Sequence, residues 1–278
     1  MKINFTKMHG LGNDFVVIDA TKQPFQMITS QIQKMANRRL GVGFDQLLVI
    51  EPPKEKDPTV DFHFRIFNPD GTEVSQCGNG ARCIARYIRA NQLIERDELR
   101  VSTLKNILEL KIQSDGKVSV KMGVPRFDSA DIPFIAHKTA NFYHLESNNQ
   151  KIKFGIVNIG NPHAIIPVNT IDALQISKIA PQLSIHKRFP EGTNVGFMQV
   201  INTQNIRLRV YERGAGETLA CGSGACAAVA VGRRLGLLQE RVVVHQPGGS
   251  LLVDWEGPLT PIIVTGSTAT VFCGEWSD

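Results

Sequence analysis

Two cysteines occur in the same local setting twice. Glu73-Val-Ser-Gln-Cys77-Gly78-Asn79-Gly80-Ala81 and Glu217-Thr-Leu-Ala-Cys221-Gly222-Ser223-Gly224-Ala225 share the pattern E-x-x-x-C-G-x-G-A, 144 residues apart. A thiol accepts a proton when ionised and donates one when not. Two such groups therefore suit removal of an α-proton from one face of a carbon and its return to the other, in either direction. After each sulfur the pattern turns helical. Ala81, Ile84, Ala85 and Ile88 lie opposite Arg82, Arg86 and Arg89, and residues 225–235 are almost wholly small or apolar, as a helix buried inside a sheet-lined core requires. Each cysteine is thus expected at a helix N-terminus, where unpaired N–H groups and the helix dipole favour the anion and lower the thiol pKa. Gly78, Gly80, Gly222 and Gly224 permit tight turns and close backbone approach, so that N–H groups receive a carboxylate or enolate oxygen at the helix start.

A single cysteine in a Gly-Ala-rich helix start is more often a small buried hydrophobe than a reactive group. Cys83, Cys226 and Cys273 are read in that way. The repetition argues otherwise for Cys77 and Cys221, and other segments repeat with them. Gly12-Asn13-Asp14-Phe15-Val16-Val17 answers to Gly160-Asn161-Pro162-His163-Ala164-Ile165, and Phe44-Asp45-Gln46 to Gly192-Thr193-Asn194, both offset by 148. Three collinear matches ending in a shared cysteine loop indicate an internal duplication and a two-fold pseudosymmetric architecture. A zinc site is not expected. Cys77/Cys83 and Cys221/Cys226 are separated by five and four residues, which do not repeat the C-x₂₋₄-C spacing, and no H-x₃₋₅-H partner accompanies them.

The elements that must position these loops are short strands. Alternating or apolar runs at 15–18, 46–50, 62–67, 108–112, 118–120, 195–201, 207–211, 242–245 and 251–255 read as strands, and 128–133 reads as loop. The fold class is therefore α/β in the α+β sense. The 278 residues suffice for two domains. The boundary falls in the turn-rich Gly123-Val124-Pro125-Arg126, giving residues 1–122 and 123–266, with the tail 267–278 returning to the first half.

Hydrophobic content of 42% with 21% charged residues is that of a soluble globular chain. The formal charge of +5 is scattered, and its densest pairs, Arg38-Arg39 and Arg233-Arg234, are isolated. No nucleic-acid partner is expected, and the mild positive field suits a small anionic substrate. No window is apolar and long enough for a membrane helix, and Met1 to Lys7 lacks the character of a signal peptide. With five cysteines, an odd and low number, the expectation is free thiols in a cytoplasmic protein. No dinucleotide fingerprint or P-loop lysine is seen, and no cofactor is expected.

Cys77-Gly-Asn-Gly-Ala-Arg-Cys83 and Ala220-Cys-Gly-Ser-Gly-Ala-Cys226, with His9-Gly-Leu-Gly-Asn-Asp-Phe15 and Asn158-Ile-Gly-Asn-Pro-His163, closely resemble the motifs of the diaminopimelate epimerase family. The resemblance runs from Met8 to Gly274. It implies two pseudosymmetric domains, each a mostly antiparallel sheet wrapped around a central helix, closing over substrate in the cleft between them. It also implies a homodimer that interconverts LL- and meso-diaminopimelate without pyridoxal phosphate or metal, toward lysine and peptidoglycan. On matching motifs, Cys77 and Cys221 look like the base and acid. Asn13, Gln46, Asn68, Asn161, Asn194, Glu212 and Arg213 look like the substrate-holding side chains, and the backbone at Gly78, Asn79, Gly222 and Ser223 looks like the α-carboxylate grip. His163 and Glu212 are in addition candidates for tuning the thiols. Asn68-Pro69-Asp70-Gly71 read alone is a turn. Phe44 stands where the family usually carries a small residue.

Two other functions compete with this one. Proline and hydroxyproline racemases use a similar pair of cysteines but usually carry histidine where this chain has Asn79. A non-catalytic thiol-redox sensing or anion-binding module would use the same loops without turnover.

Overall fold

A computed structural model describes residues 2–54, 58–75, 77–147, 150–172 and 174–278. Their contacts group into two compact units: the chain up to Val120 together with Gly266–Asp278, and Lys121–Thr265.

In the first unit, β1 (Lys2–Gly10) turns at Leu11 and Gly12, both at positive φ, into antiparallel β2 (Asn13–Asp19). Helix α1 (Thr29–Ala36) carries the chain to β3 (Gln46–Glu51), parallel to β2 with Phe15 opposite Gln46. β4 (Phe62–Phe67) runs antiparallel to β3 and pairs in turn with the short β5 (Glu73–Val74). Helix α2 (Gly78–Ala90) follows, and then the meander β6 (Glu98–Ser102), β7 (Ile107–Ile112) and β8 (Val118–Lys121), with β6 parallel to β4.

Side chains alternate across a strand, and that alternation separates the two helices. Val16, Ile18, Leu47 and Val49 pack with Ile32 and Met35 of α1. Leu48, on the other face of β3, meets α2 at Gly80.

The second unit repeats this order. β9 (Tyr143–Ser147), β10 (Gln150–Asn158) and β11 (Pro162–Pro167) form an antiparallel run. Helix α3 (Ile176–Ser184) leads to β12 (Asn194–Asn202), parallel to β11 with His163 opposite Asn194. β13 (Asn205–Glu212) and β14 (Gly216–Thr218) precede helix α4 (Gly222–Arg234). β15 (Arg241–Gln246) is parallel to β13, and β16 (Gly249–Asp254) and β17 (Ile263–Gly266) complete the unit. The Phe15–Gln46 and His163–Asn194 pairs stand at the same 148-residue offset as the sequence repeat. Val195 and Phe197 join Ala180 and Leu183 of α3 in an aromatic-rich core with Phe134, Tyr143, Phe154 and Phe189. α4 is buried from Ala225 to Gly232, which makes it a central helix enclosed by its sheet.

β18 (Ala269–Ser277) lies antiparallel to β1, with Trp276 opposite Ile3. Nine strands, β1, β5, β6, β9, β10, β11, β14, β17 and β18, and both α1 and α3 lie outside the sequence reading. β1 carries Lys7, which is buried against Asp14 at 2.6 Å, and β18 is mostly exposed, so neither shows a plain apolar alternation. Both cysteine helices begin one turn earlier than their apolar patterns.

Candidate active site

In each unit a cysteine is the N-cap of the central helix. Cys77 is extended at φ −150° and ψ 103°, and Cys221 at φ −129° and ψ 113°. This geometry turns the side chain back over the first helical turn. The sulfur of Cys77 accepts the Gly80 N–H at 3.3 Å, filling the role of a capping oxygen. Glycine at the third helical position is a steric requirement in both copies. A Cβ on Gly80 would stand 3.1 Å from Leu48 Cδ2 and 3.3 Å from Cys77 Sγ; on Gly224 it would stand 2.9 Å from Val210 Cγ2 and 3.3 Å from Cys221 Sγ. Gly78 and Gly222 open their helices, where the helix itself supplies no acceptor for an N–H.

The first unit brings Asn13, Asn79, Gln46 and Asn68 into two linked pairs. Asn79 Nδ2 donates to Asn13 Oδ1 at 3.2 Å, and buried Arg82 donates to Asn79 Oδ1 at 3.0 Å. Gln46 Nε2 donates to Asn68 Oδ1 at 3.1 Å. Asn68 is also a turn residue, since its carbonyl accepts the Gly71 N–H at 2.9 Å. The ring of Phe44 is buried with Leu47 and Val49 in the α1 core, so the substitution there is absorbed by packing.

The second unit collects the rest. Ser223 Oγ lies 3.6 Å from Cys221 Sγ and 3.1 Å from His163 Nε2, which is also 2.9 Å from Asn161 Oδ1. Asn194 Oδ1 accepts the Arg213 N–H at 2.9 Å, and Thr218 Oγ1 donates to Glu212 Oε1 at 2.6 Å. The exposed Arg213 guanidinium donates to the Glu191 carbonyl. Gln246, which sequence reasoning missed, clamps the cysteine from below: its Oε1 accepts the Cys221 N–H at 2.8 Å.

The expected lowering of both thiol pKa values is corrected for Cys221. Burial, then the charge of Glu212, pushes its thiol well above the ordinary value, against the hydrogen bonds from Ser223 and Gly224. Removing the sulfur from water outweighs the helix start. Burial, and then Arg213, pushes His163 down to about 3, so its imidazole is neutral at physiological pH. Cys83 is fully buried and its thiol is raised by burial, and Cys226 is likewise buried, as a packing role requires. Cys273 differs: it is exposed, with its sulfur 3.5 Å from Thr6 Oγ1. All five cysteines carry reduced thiols. Among the described residues no cluster of three or more His, Cys, Asp or Glu side chains could hold a metal ion, and no helix is long and apolar enough to cross a membrane.

Each unit by itself presents an N-cap cysteine with ordered amides nearby, a group whose chemistry suits proton transfer. Residues 5–127 and 155–271 match the family model described as diaminopimelate epimerase. The chain belongs to the diaminopimelate epimerase family. A curated diaminopimelate epimerase from Coxiella burnetii (strain Dugway 5J108-111) is 74% identical over 278 residues, covering the whole of both chains. Solved structures extend the fold beyond the diaminopimelate epimerases. A PhzF-family phenazine biosynthesis protein from Bacillus anthracis superposes with a TM-score of 0.71 at 17% identity, covering 100% of each chain. A hydroxyproline epimerase from Agrobacterium vitis does so with a TM-score of 0.71 at 14% identity, covering 99% of this chain and 92% of that one.

Proposed function

We propose that Cys77 and Cys221 are the two proton carriers of a diaminopimelate epimerase, one for each face of the α-carbon. The activity itself, interconversion of LL- and meso-diaminopimelate, follows from the family and from the relative at 74% identity. The observation that carries the assignment is the repeated N-cap: in each unit a cysteine is the N-cap of the central helix, followed at the third helical position by a glycine on which a Cβ would stand 3.3 Å from the cysteine sulfur. Burial favours the thiol form of Cys221, the form that donates a proton, and the Cys77 sulfur accepts the Gly80 N–H; in one direction of the reaction Cys77 is the base and Cys221 the acid. The base takes the α-proton and breaks the C–H bond. The electron pair moves into the carboxylate as an enolate, which the helix-start N–H groups stabilise. Cys221 then delivers its proton to the opposite face, and the two sulfurs have exchanged protonation states. Reaction from the other isomer runs the sequence backwards, without an electron-sink cofactor.

Asn13, Gln46, Asn68 and Asn79 hold the substrate from the first unit, and Asn161, Asn194, Glu212, Arg213 and Ser223 from the second. Arg213 supplies a fork for a carboxylate, and the amide oxygens and Glu212 suit an ammonium. The enzyme is cytoplasmic and works as a homodimer, a state supported by the family and by the exposed Val271 and Phe272 on β18.

Incubation of the reduced protein with LL-diaminopimelate in D₂O tests the reading. Deuterium at the α-carbon and meso product are expected. Cys77→Ala and Cys221→Ala each abolish epimerisation, and near-normal turnover by either variant overturns the two-base assignment.

A further inference from the structure

Asn13 is held by charge. Its Nδ2 donates to Asp45 Oδ2 at 2.8 Å, and its Oδ1 accepts from Asn79 at 3.2 Å. Asp45 is gripped in turn by Arg38, whose Nη2 lies 2.7 Å from Asp45 Oδ1. The same guanidinium forks onto Asp14 at 3.0 and 2.7 Å, and Asp14 also accepts from Lys7 Nζ at 2.6 Å. The two acids strap each other's backbone: the Asp14 N–H donates to Asp45 Oδ2 at 3.1 Å and the Asp45 N–H to Asp14 Oδ1 at 3.1 Å. Asp14 and Asp45, the residues immediately before Phe15 and Gln46, thus form with Lys7 and Arg38 one four-membered charge network of two acids and two bases. The corresponding positions of the second unit are Pro162 and Thr193, one residue before His163 and Asn194. Neither is charged.

We infer that Asp45, set by Arg38, is a positioning residue that fixes which end of the Asn13 amide faces the substrate. A carboxylate only accepts hydrogen bonds, so it captures the N–H end of an amide and repels the oxygen end. With Asn79 donating to that oxygen, a flip of Asn13 forfeits both bonds and sets oxygen against oxygen. The second N–H and the second lone pair of Asn13 are then aimed in fixed directions. An asparagine at position 45 would offer a donor and an acceptor alike and remove the discrimination. This inference rests on the substrate-holding role proposed for Asn13.

The Arg38–Asp45 arm of the network contributes little to stability, unlike the buried Lys7–Asp14 pair. The Arg38 side chain is 57% exposed and that of Asp45 43%, and ion pairs so open to solvent contribute little to folding. Its loss should therefore register in substrate affinity rather than in melting temperature. The experiment is a double-mutant cycle on the full chain, with Asp45→Asn, Asn13→Ala and the pair, reading KM, kcat and Tm. Arg38→Lys and Arg38→Gln run alongside.

Expected are a roughly tenfold rise in KM for Asp45→Asn with kcat within about twofold, the signature of lost uniform binding, and a Tm close to wild type. Asp45→Asn should add nothing in the Asn13→Ala background, because it acts through that amide. Arg38→Lys should recover part of what Arg38→Gln loses. An unchanged KM for Asp45→Asn, or full additivity with Asn13→Ala, overturns the inference while leaving the epimerase reading intact. If Asn13→Ala itself leaves KM unchanged, the role of Asn13 fails and the inference falls with it; if wild type shows no exchange in D₂O, the functional reading fails first.

Discussion

Ser223 presents its hydroxyl oxygen 3.6 Å from the sulfur of Cys221. The same oxygen lies 3.1 Å from His163 Nε2, and a neutral imidazole with its Nε2–H toward Asn161 Oδ1 and Ser223 leaves the Ser223 proton to point at sulfur. The hydroxyl is thus one of the groups that lower the Cys221 pKa against the larger effect of burial. Ser223→Ala should raise that pKa further and reduce kcat about tenfold, since a hydrogen bond to a charged group contributes about 1.5–3 kcal/mol. Ser223→Thr should retain most activity. Steady-state kinetics across pH check this, and a change confined to KM would contradict it.

Alanine is ordinarily the better helix former, by about 1 kcal/mol over glycine, yet Gly80→Ala and Gly224→Ala should both damage the enzyme. The added Cβ meets Leu48 at 3.1 Å or Val210 at 2.9 Å, and in both cases the cysteine sulfur at 3.3 Å. Overpacking costs about 1–3 kcal/mol, with Gly224→Ala the worse. Displacement of the sulfur should lower kcat roughly 10²-fold. Urea midpoints and kcat, measured together, distinguish the two effects.

Cys77 and Cys221 were legible because the loop is written twice, and duplication is a signal that one chain contains by itself. Asn68 was legible only through family resemblance, because N-P-D-G forms the same turn with or without a substrate. Arg38 and Asp45 look in sequence like ordinary surface charges, and nothing local marks them as holding Asn13 from 25 and 32 positions away. Gln246 donates to and accepts from Cys221 backbone groups 25 residues upstream, a contact that exists only once β15 has paired with β13. The direction of the Cys221 shift was misjudged for a related reason. A helix N-terminus is visible in sequence, but the depth at which the helix is buried is set by the sheet around it.

Stability should fall on acidification below about pH 6.5. His163 has a folded pKa near 3 because burial disfavours its cation, whereas the unfolded histidine titrates near about 6.5. Between those values the unfolded chain binds more protons than the folded one, so unfolding free energy rises with pH there. His63 and His186, also lowered first by burial, act with the same sign. Urea unfolding from pH 7 to 4 should show the loss, and His163→Asn should flatten it. A pH-independent midpoint over that range would contradict the assignment.

Glu212 and Cys221 form the last testable pair. After burial, the carboxylate is the largest cause of the raised thiol pKa, because a negative neighbour opposes formation of the thiolate. Glu212→Gln removes the charge at nearly constant shape and should move the ionisation of Cys221 to lower pH. Thr218→Val removes only the hydroxyl that donates to Glu212 Oε1 at 2.6 Å; the charge remains, so its effect on Cys221 should be smaller than that of Glu212→Gln. Ultraviolet titration of the thiolate, taken as the difference between Cys77→Ala proteins with and without Cys221, isolates that sulfur from the remaining thiols and separates this effect from any loss of substrate binding. A shift to higher pH in Glu212→Gln would mean that Glu212 acts on Cys221 as a proton acceptor whose removal strands the thiol, rather than as a repelling charge.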